Sequence, residues 1–374
     1  KKFRQIIMNI ESPYKTATAV PKYCQIKSMV INMIKSGKLK ENMKVSSEST
    51  LSREFGVNRN TVAKALNELA LEGYILRKQG MGSFVAPQAS RKRTGNIGVL
   101  VQNIEDKFYS LIAKYAESAA KDNGYHVILC NTGSCNLEKE AIEILVTNEK
   151  VDGLIVVPAD LTSPQEQEFF GSLKKQKIPF VFLFPQVLLE NFNLVAPNYS
   201  QGAYEAVELL MNSGKKKIAC VVTKDRHYYG ISQRIEGCKR AAASHDIDLS
   251  IIEVADANEN EGYQLSRNIA QMGDMPDGII AVNDATAIGL LQGLREKGIN
   301  VPEDIAIIGF DDIEYSSDSN IQLTTMRYNY SRMCNIAIHS ILKQYDSSGT
   351  APIKMEIPIE AVIRKTCNPD NHFV

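Results

Sequence analysis

The chain has 374 residues, 44% of them hydrophobic, and since one core stops growing near roughly 250–300 residues, more than one folded unit is expected. Its 43 Lys/Arg balance 43 Asp/Glu overall, yet residues 1–93 hold 18 Lys/Arg against 6 Glu while residues 94–374 hold 25 against 37, a cationic first part and an acidic remainder. There is no apolar run of about twenty residues and no signal-peptide core, and the seven cysteines are scattered without a Cys-x-x-Cys pair; a cytoplasmic chain with no membrane partner, disulfide scaffold, zinc site or cofactor is expected.

Residues 1–20 read as an N-terminal extension, and residues 21–86 read as a small helical unit closed by a hairpin. Gly56 stands where one short helix must stop and another must start at a steep angle. Asn58 suits the N-cap of the second helix, and Val62, Ala65, Leu66 and Leu69 recur at the spacing of one buried face. Arg59, Asn60, Thr61 and Lys64 fall on its first turns and outward side, where cations and short donors meet base edges and phosphates of a major groove. Arg59 is the leading candidate for base reading; an ordinary solvated helix pair fits the same pattern. Two short runs, 74–77 and 83–85, flank Gln79-Gly80-Met81-Gly82 and predict a β-hairpin wing. Arg77 and Lys78 bring charge to it, and Gly80 and Gly82 either admit the backbone close to phosphate or only shape the turn.

Taken together, residues 21–86 resemble the winged helix-turn-helix head of the GntR family of bacterial transcription regulators. The resemblance runs from Pro21-Lys-Tyr-Cys-Gln-Ile through Ser46-Ser-Glu-Ser and Gly56-Val-Asn-Arg-Asn-Thr-Val to Gln79-Gly-Met-Gly-Ser-Phe-Val. It implies base contacts from Arg59, Asn60 and Thr61 and a wing glycine, Gly80, against the minor groove. The DNA-facing set is completed by Ser47, Ser49, Asn58, Lys64, Arg77, Gln79 and Gly82. The family's usual Pro-Ser-Glu-Arg reads Ser46-Ser47-Glu48-Ser49 here, so one common arginine contact is absent, and Ala63 stands where a second arginine is frequent.

Residues 87–95 are polar, basic and aperiodic and read as a linker. From residue 96 onward, apolar runs at 97–101, 126–130, 153–157, 180–184, 218–222, 278–282 and 305–310 alternate with amphipathic stretches at 111–122, 137–147, 203–213, 233–245 and 286–297. Strands buried on both faces and separated by helices predict parallel sheets, whose ligands sit beyond the carboxyl ends of the strands. Those exits carry Phe108 and Tyr109 after the first strand, Asn283 after a later one, and Asp311 in Ile307-Ile-Gly-Phe-Asp-Asp. Aromatic faces with Asp and Asn suit a polyol; equally, Phe108 suits a core, Asn283 a helix cap and Asp311 a local pair.

No Gly-x-Gly-x-x-Gly follows the first strand, and neither a Gly-x-x-x-x-Gly-Lys-Ser/Thr loop nor His-Glu-x-x-His occurs, so an enzyme is not expected. A transport-associated binding protein is disfavoured by the basic head. Across residues 96–366 the succession of motifs resembles the effector domain of LacI-type regulators and periplasmic sugar-binding proteins. Asn283-Asp-Ala-Thr-Ala-Ile-Gly, Val301-Pro-Glu-Asp-Ile-Ala-Ile-Ile-Gly-Phe-Asp-Asp and Leu323-Thr-Thr-Met carry most of it. The resemblance implies an effector site of Phe108, Tyr109, Asn198, Tyr229, Arg234, Asn283 and Asp311, with Tyr228 also near enough to join the wall. It also implies two α/β lobes, the first near 96–197 with a return segment near 325–345, the second near 199–320 with the final strands, and a last crossing at 346–352. A GntR head on such a body resembles the arabinose-repressor subgroup of sugar-responsive regulators. The reading is a transcription regulator, with repression the expected sign, working as a homodimer on a pseudo-palindromic double-stranded DNA operator under control of a small carbohydrate. Neither the sugar nor the operator sequence follows from the residues.

Overall fold

The computed structural model describes residues 21–71, 73–78, 80–86, 93–346 and 351–368. The expected extension 1–20, Gln79, linker residues 87–92 and residues 347–350 of the expected last crossing lie outside the described residues. The chain divides into two units, 1–93 and 94–374.

In the first unit, helices α1 (Lys22–Lys35), α2 (Glu48–Phe55) and α3 (Arg59–Leu71) precede a hairpin of β1 (Ile75–Lys78) and β2 (Gly82–Val85). Gly56 ends α2 in the left-handed conformation, φ +61°, a backbone state that a side chain disfavours. The predicted apolar stripe of α3, Val62, Ala65, Leu66 and Leu69, is fully buried against Ile26 and Val30 of α1, Leu51 of α2, and Ile75 and Val85 of the hairpin. A third backbone segment joins the wing, with Val45 N donating to Ser83 O (2.9 Å) and Val85 N to Met43 O (2.8 Å).

The second unit holds two lobes. The first lobe's sheet comprises β3 (Asn96–Val101), β4 (His126–Asn131), β5 (Gly153–Val156), β6 (Phe180–Leu183), β7 (Leu194–Pro197) and β13 (Lys354–Ile357), ordered β13-β7-β6-β5-β3-β4 and parallel throughout. The second lobe's sheet comprises β8 (Lys217–Thr223), β9 (Asp248–Val254), β10 (Gly278–Ile280), β11 (Ala306–Phe310), β12 (Thr324–Tyr328) and β14 (Ile359–Val362), ordered β14-β12-β11-β10-β8-β9, with only β14 antiparallel. Both sheets bury both faces, as the unbroken apolar runs require: along β3, Val99 and Val101 enter one core while Leu100 enters the other. Helices α4 (Lys107–Asp122), α5 (Cys135–Ile144) and α6 (Pro164–Lys175) belong to the first lobe; α7 (Tyr199–Asn212), α8 (Tyr229–His245), α9 (Glu259–Ala270) and α10 (Asp284–Glu296) belong to the second. Helix α11 (Tyr330–Asp346) returns to the first, against α4, β5, β6 and β7.

The chain therefore passes between lobes after β7, after β12 and between β13 and β14. This corrects two expectations. The last crossing is at Pro358, not at 346–352, because β13 first adds to the first sheet beside β7; the final strands are thus split between the lobes. Residues 94 and 95 of the expected linker belong to the body, since Thr94 N and Gly95 N both donate to the buried Asp152 carboxylate (2.9 Å each to Oδ2). The first and third crossings are tied together by Asn198 N donating to Ile357 O (2.8 Å). One apolar core runs through both lobes, continuous through Phe184, Tyr199 and Tyr328.

Candidate functional site

Two concave faces, one in each unit, carry part of the sequence-predicted set. In the head, Ser47 caps α2, its hydroxyl accepting from Thr50 N (3.2 Å) and lying 2.8 Å from Ser49 Oγ. Asn58 accepts from both Thr61 N (2.9 Å) and Thr61 Oγ1 (3.0 Å), so these two fix the start of α3. That leaves Arg59 and Asn60 exposed on its first turn. Ser47, Ser49, Arg59, Arg77, Gly80 and Gly82 share a concavity of about 510 Å³ between α3 and the wing; Asn58, Asn60, Thr61 and Lys64 do not line it. The Lys64 ammonium lies instead 4.0 Å over the Tyr23 ring. Arg77 is spoken for as well, donating to Glu48 and Asn67, which ties the wing to α2 and α3.

Gly80 and Gly82 have φ of +74° and +106°, so the turn itself requires both. Lys44 was not visible as a candidate from the sequence. It reaches the wing because residues 42–45 pair with β2, and its ammonium and that of Lys78 lie 5.9 and 5.3 Å from the Phe84 ring centre. Two cations thus flank the wing beside its glycines.

In the body, a cleft of about 350 Å³ opens at the carboxyl ends of the strands, walled by both lobes. Phe108, Tyr109, Arg234, Asn283 and Asp311 all line it. Asp106 caps α4 by accepting from Phe108 N (2.9 Å), which delivers the two aromatics to the cleft, where Phe108 meets Tyr109 (5.0 Å) and Phe184 (4.8 Å) edge to face. Asn283 accepts from Thr286 N (2.9 Å) and donates to Ala257 O (2.9 Å); it caps α10 and ties down a neighbouring loop while facing the cleft.

Asn198 and Tyr229 stand outside the lining. Asn198 caps α7 by accepting from Gln201 N (3.0 Å), and its neighbour Tyr199 enters the wall in its place. Tyr229 starts α8 with its hydroxyl turned to Glu356, so that Tyr228 faces the cleft.

Arg234 is the centre of the floor. Its Nη1 donates to Val282 O (2.6 Å) and its Nη2 to the Tyr328 hydroxyl, and its guanidinium lies 4.4 Å over the Phe310 ring and 5.3 Å over that of Tyr199. Nε, withdrawn from solvent, has no partner among the described residues. Asp311, 5% exposed, has φ +109°, a conformation held by its N–H donating to Met326 O (3.1 Å) and by Tyr330 donating to its carbonyl (3.3 Å). Burial and the Asp284 carboxyl push Asp311 well above the usual carboxylate range, against the pull of Arg234. Behind it, fully buried Asp284 accepts from Ile313 N (3.0 Å), Ser316 Oγ (2.6 Å) and Thr325 Oγ1 (2.5 Å), and burial pushes it up to about 7 against those bonds.

Tyr328 was missed because nothing in Met326-Arg-Tyr-Asn-Tyr distinguishes it; it matters because a crossing places it there. Its ring meets Phe184 of the first lobe (5.4 Å) and Tyr199 of the second (6.1 Å). Gln102 and Gln186, also missed, both donate to Pro158 O (2.6 Å each), fixing the first lobe's lip.

Comparison with known proteins divides the chain the same way. Residues 22–85 match the family model of bacterial regulatory proteins, gntR family, and residues 207–367 match that of a periplasmic binding protein-like domain. The arabinose metabolism transcriptional repressor of Geobacillus stearothermophilus is 29% identical over 324 residues, covering 84% of this chain and 88% of its own. The ribose operon repressor of Halalkalibacterium halodurans is 28% identical over 86% of this chain and 93% of its own. Among solved structures, a LacI family transcriptional regulator from Enterococcus faecium with bound ribose matches with a TM-score of 0.63 and 28% identity, over 73% of this chain and 99% of its own. Among the described residues no helix is long and apolar enough to cross a membrane.

Proposed function

We propose, for a chain that joins a GntR-family head to a periplasmic-binding-protein-like body of the LacI type, that it is a sequence-specific DNA-binding transcription repressor whose operator affinity is set by a small carbohydrate held between the two lobes. It acts in the cytoplasm, as a homodimer and without enzymatic activity. The observation that carries the reading is the pairing of two faces on one chain. One presents an exposed Arg59 beside a cationic wing; the other sets Phe108 and Tyr109 opposite Arg234, Asn283 and Asp311.

In the head, Arg59 and Asn60 read base edges, and Lys44 and Lys78 neutralise phosphates beside the glycine-lined wing tip. Ser47, Asn58, Thr61 and Arg77 hold that surface in shape, since their polar groups are already engaged within it. In the body, Phe108 and Tyr109 stack on the C–H face of a sugar while Asn283 and Asp311 take its hydroxyls. Two heads on a two-fold axis double these contacts on one duplex face. Gel shift with duplexes selected from a random pool tests the reading: a specific complex that weakens steeply with salt is expected, and its absence would remove the DNA-binding half of the proposal.

A further inference from the structure

The carbohydrate cleft carries an uneven charge. Its wall holds two exposed carboxylates, Asp106 and Asp256, against one cation, Arg234, among the described residues, while the third carboxyl, Asp311, is buried and pushed toward its neutral form. Asp106 and Asp256 are exposed at the mouth and fixed there, Asp106 by its bond from Phe108 N and Asp256 by bonds from Ala257 N (2.7 Å) and Asn258 Nδ2 (3.0 Å). A negative ligand must pass both.

Inside, it would find little to grip. Arginine takes phosphate or carboxylate through two parallel N–H groups turned toward the anion. Here one N–H of Nη1 is committed to Val282 O and one of Nη2 to the Tyr328 hydroxyl, Nε is shielded from solvent, and the rings of Phe310 and Tyr199 pack on the guanidinium, so the group is held in place and its Nε–Nη fork is closed to a ligand, leaving only the second N–H of each Nη. The Tyr328 hydroxyl accepts from Arg234 and so takes up part of its donor capacity from within the protein. A neutral hydroxyl needs only single donors and acceptors, which the Asp and Asn side chains supply.

Resting on the carbohydrate reading above, we infer that Tyr328 is a specificity-determining residue: by engaging Arg234 from beneath, it leaves the cleft selective for uncharged polyols and closed to their phosphorylated or acidic counterparts. Titration calorimetry of the full chain with matched pairs tests this, using D-ribose with D-ribose 5-phosphate, L-arabinose with L-arabinonate, and D-galactose with D-galacturonate at fixed ionic strength. For any pair that binds, the neutral member should bind at least about tenfold more tightly. Tyr328→Phe keeps the ring packing and releases the guanidinium, so the gap should narrow, with the anion gaining. The double variant Asp106→Asn, Asp256→Asn, which leaves the floor untouched, should narrow it independently. An anion that binds the unaltered protein as well as its neutral partner, or a gap unmoved by Tyr328→Phe, overturns the inference while leaving the carbohydrate reading in place. No binding by either member of any pair overturns that reading and this inference together.

Discussion

Replacing Glu138 with Gln should make the body more stable at pH 8 and change it by less than about 1 kcal/mol at pH 5. Glu138 lies in the first turn of α5, only 1% exposed, with its Oε2 accepting from Ala159 N (2.9 Å), and it holds the same lip that Gln102 and Gln186 grip at Pro158. Burial, with the neighbouring Glu166 charge adding to it, raises the carboxyl from 4.5 to about 7, against the Ala159 amide. A group bound more tightly by its proton in the folded state contributes its full stability below the unfolded value and loses it as pH rises to the folded one. The loss therefore falls between about pH 4.5 and 7, stays constant above, and amounts to roughly 3 kcal/mol. The amide keeps an acceptor for Ala159 and carries no charge, so the variant should skip that loss. Because the chain has no Trp, thermal melts are best followed by circular dichroism, at pH 5, 6.5 and 8. The Tm difference should grow from about a quarter of its full value at pH 5 to several degrees at pH 8, at roughly 2–4 °C per kcal/mol for large domains. A variant that is less stable at every pH by the same amount would refute the reasoning, since it would mean that Glu138 is ionised and paired in the folded state.

Other expectations are more local. Arg59→Ala should weaken specific operator binding by about 1–3 kcal/mol while leaving ligand-induced stabilisation of the body intact, measured by gel shift and thermal melt in parallel. Gly82→Ala should destabilise the head by about 1–2 kcal/mol, because φ is +106° and the added carbon would stand 2.9 Å from Lys44 Cε; urea unfolding of the head's transition reads it. Asn283→Ala removes the cap on Thr286 N and the bond to Ala257 O, so the apo body should lose about 1–2 kcal/mol before any ligand is added, and an unchanged apo melt would rule out its structural role.

Long periodic segments were readable from residue order because burial on both faces leaves unbroken apolar runs, and the runs expected at 97–101 and 305–310 fall within a residue of the observed strands. The half-exposed edge strand β9 left no such run, and helices α6 and α9 carried too many polar residues in sequence to stand out from loop. The cleft was found through strand exits, which is why Phe108, Asn283 and Asp311 were nameable. Asn198 and Tyr229 were each one residue off, since a single step around a helix start exchanges a capping or outward position for the wall, and Tyr199 and Tyr228 took it. Tyr328 and Lys44 could not be inferred, because only a chain crossing in one case and a non-local strand pairing in the other brings them to their sites.

The central claim is that the two faces are energetically coupled. Fluorescence anisotropy of a labelled operator duplex, titrated with the full chain with and without a saturating sugar that raises the body's Tm, measures this directly. Coupling of about 1–3 kcal/mol predicts a change in operator affinity of roughly 5- to 150-fold. An affinity that stays the same when the cleft is demonstrably occupied would contradict the account.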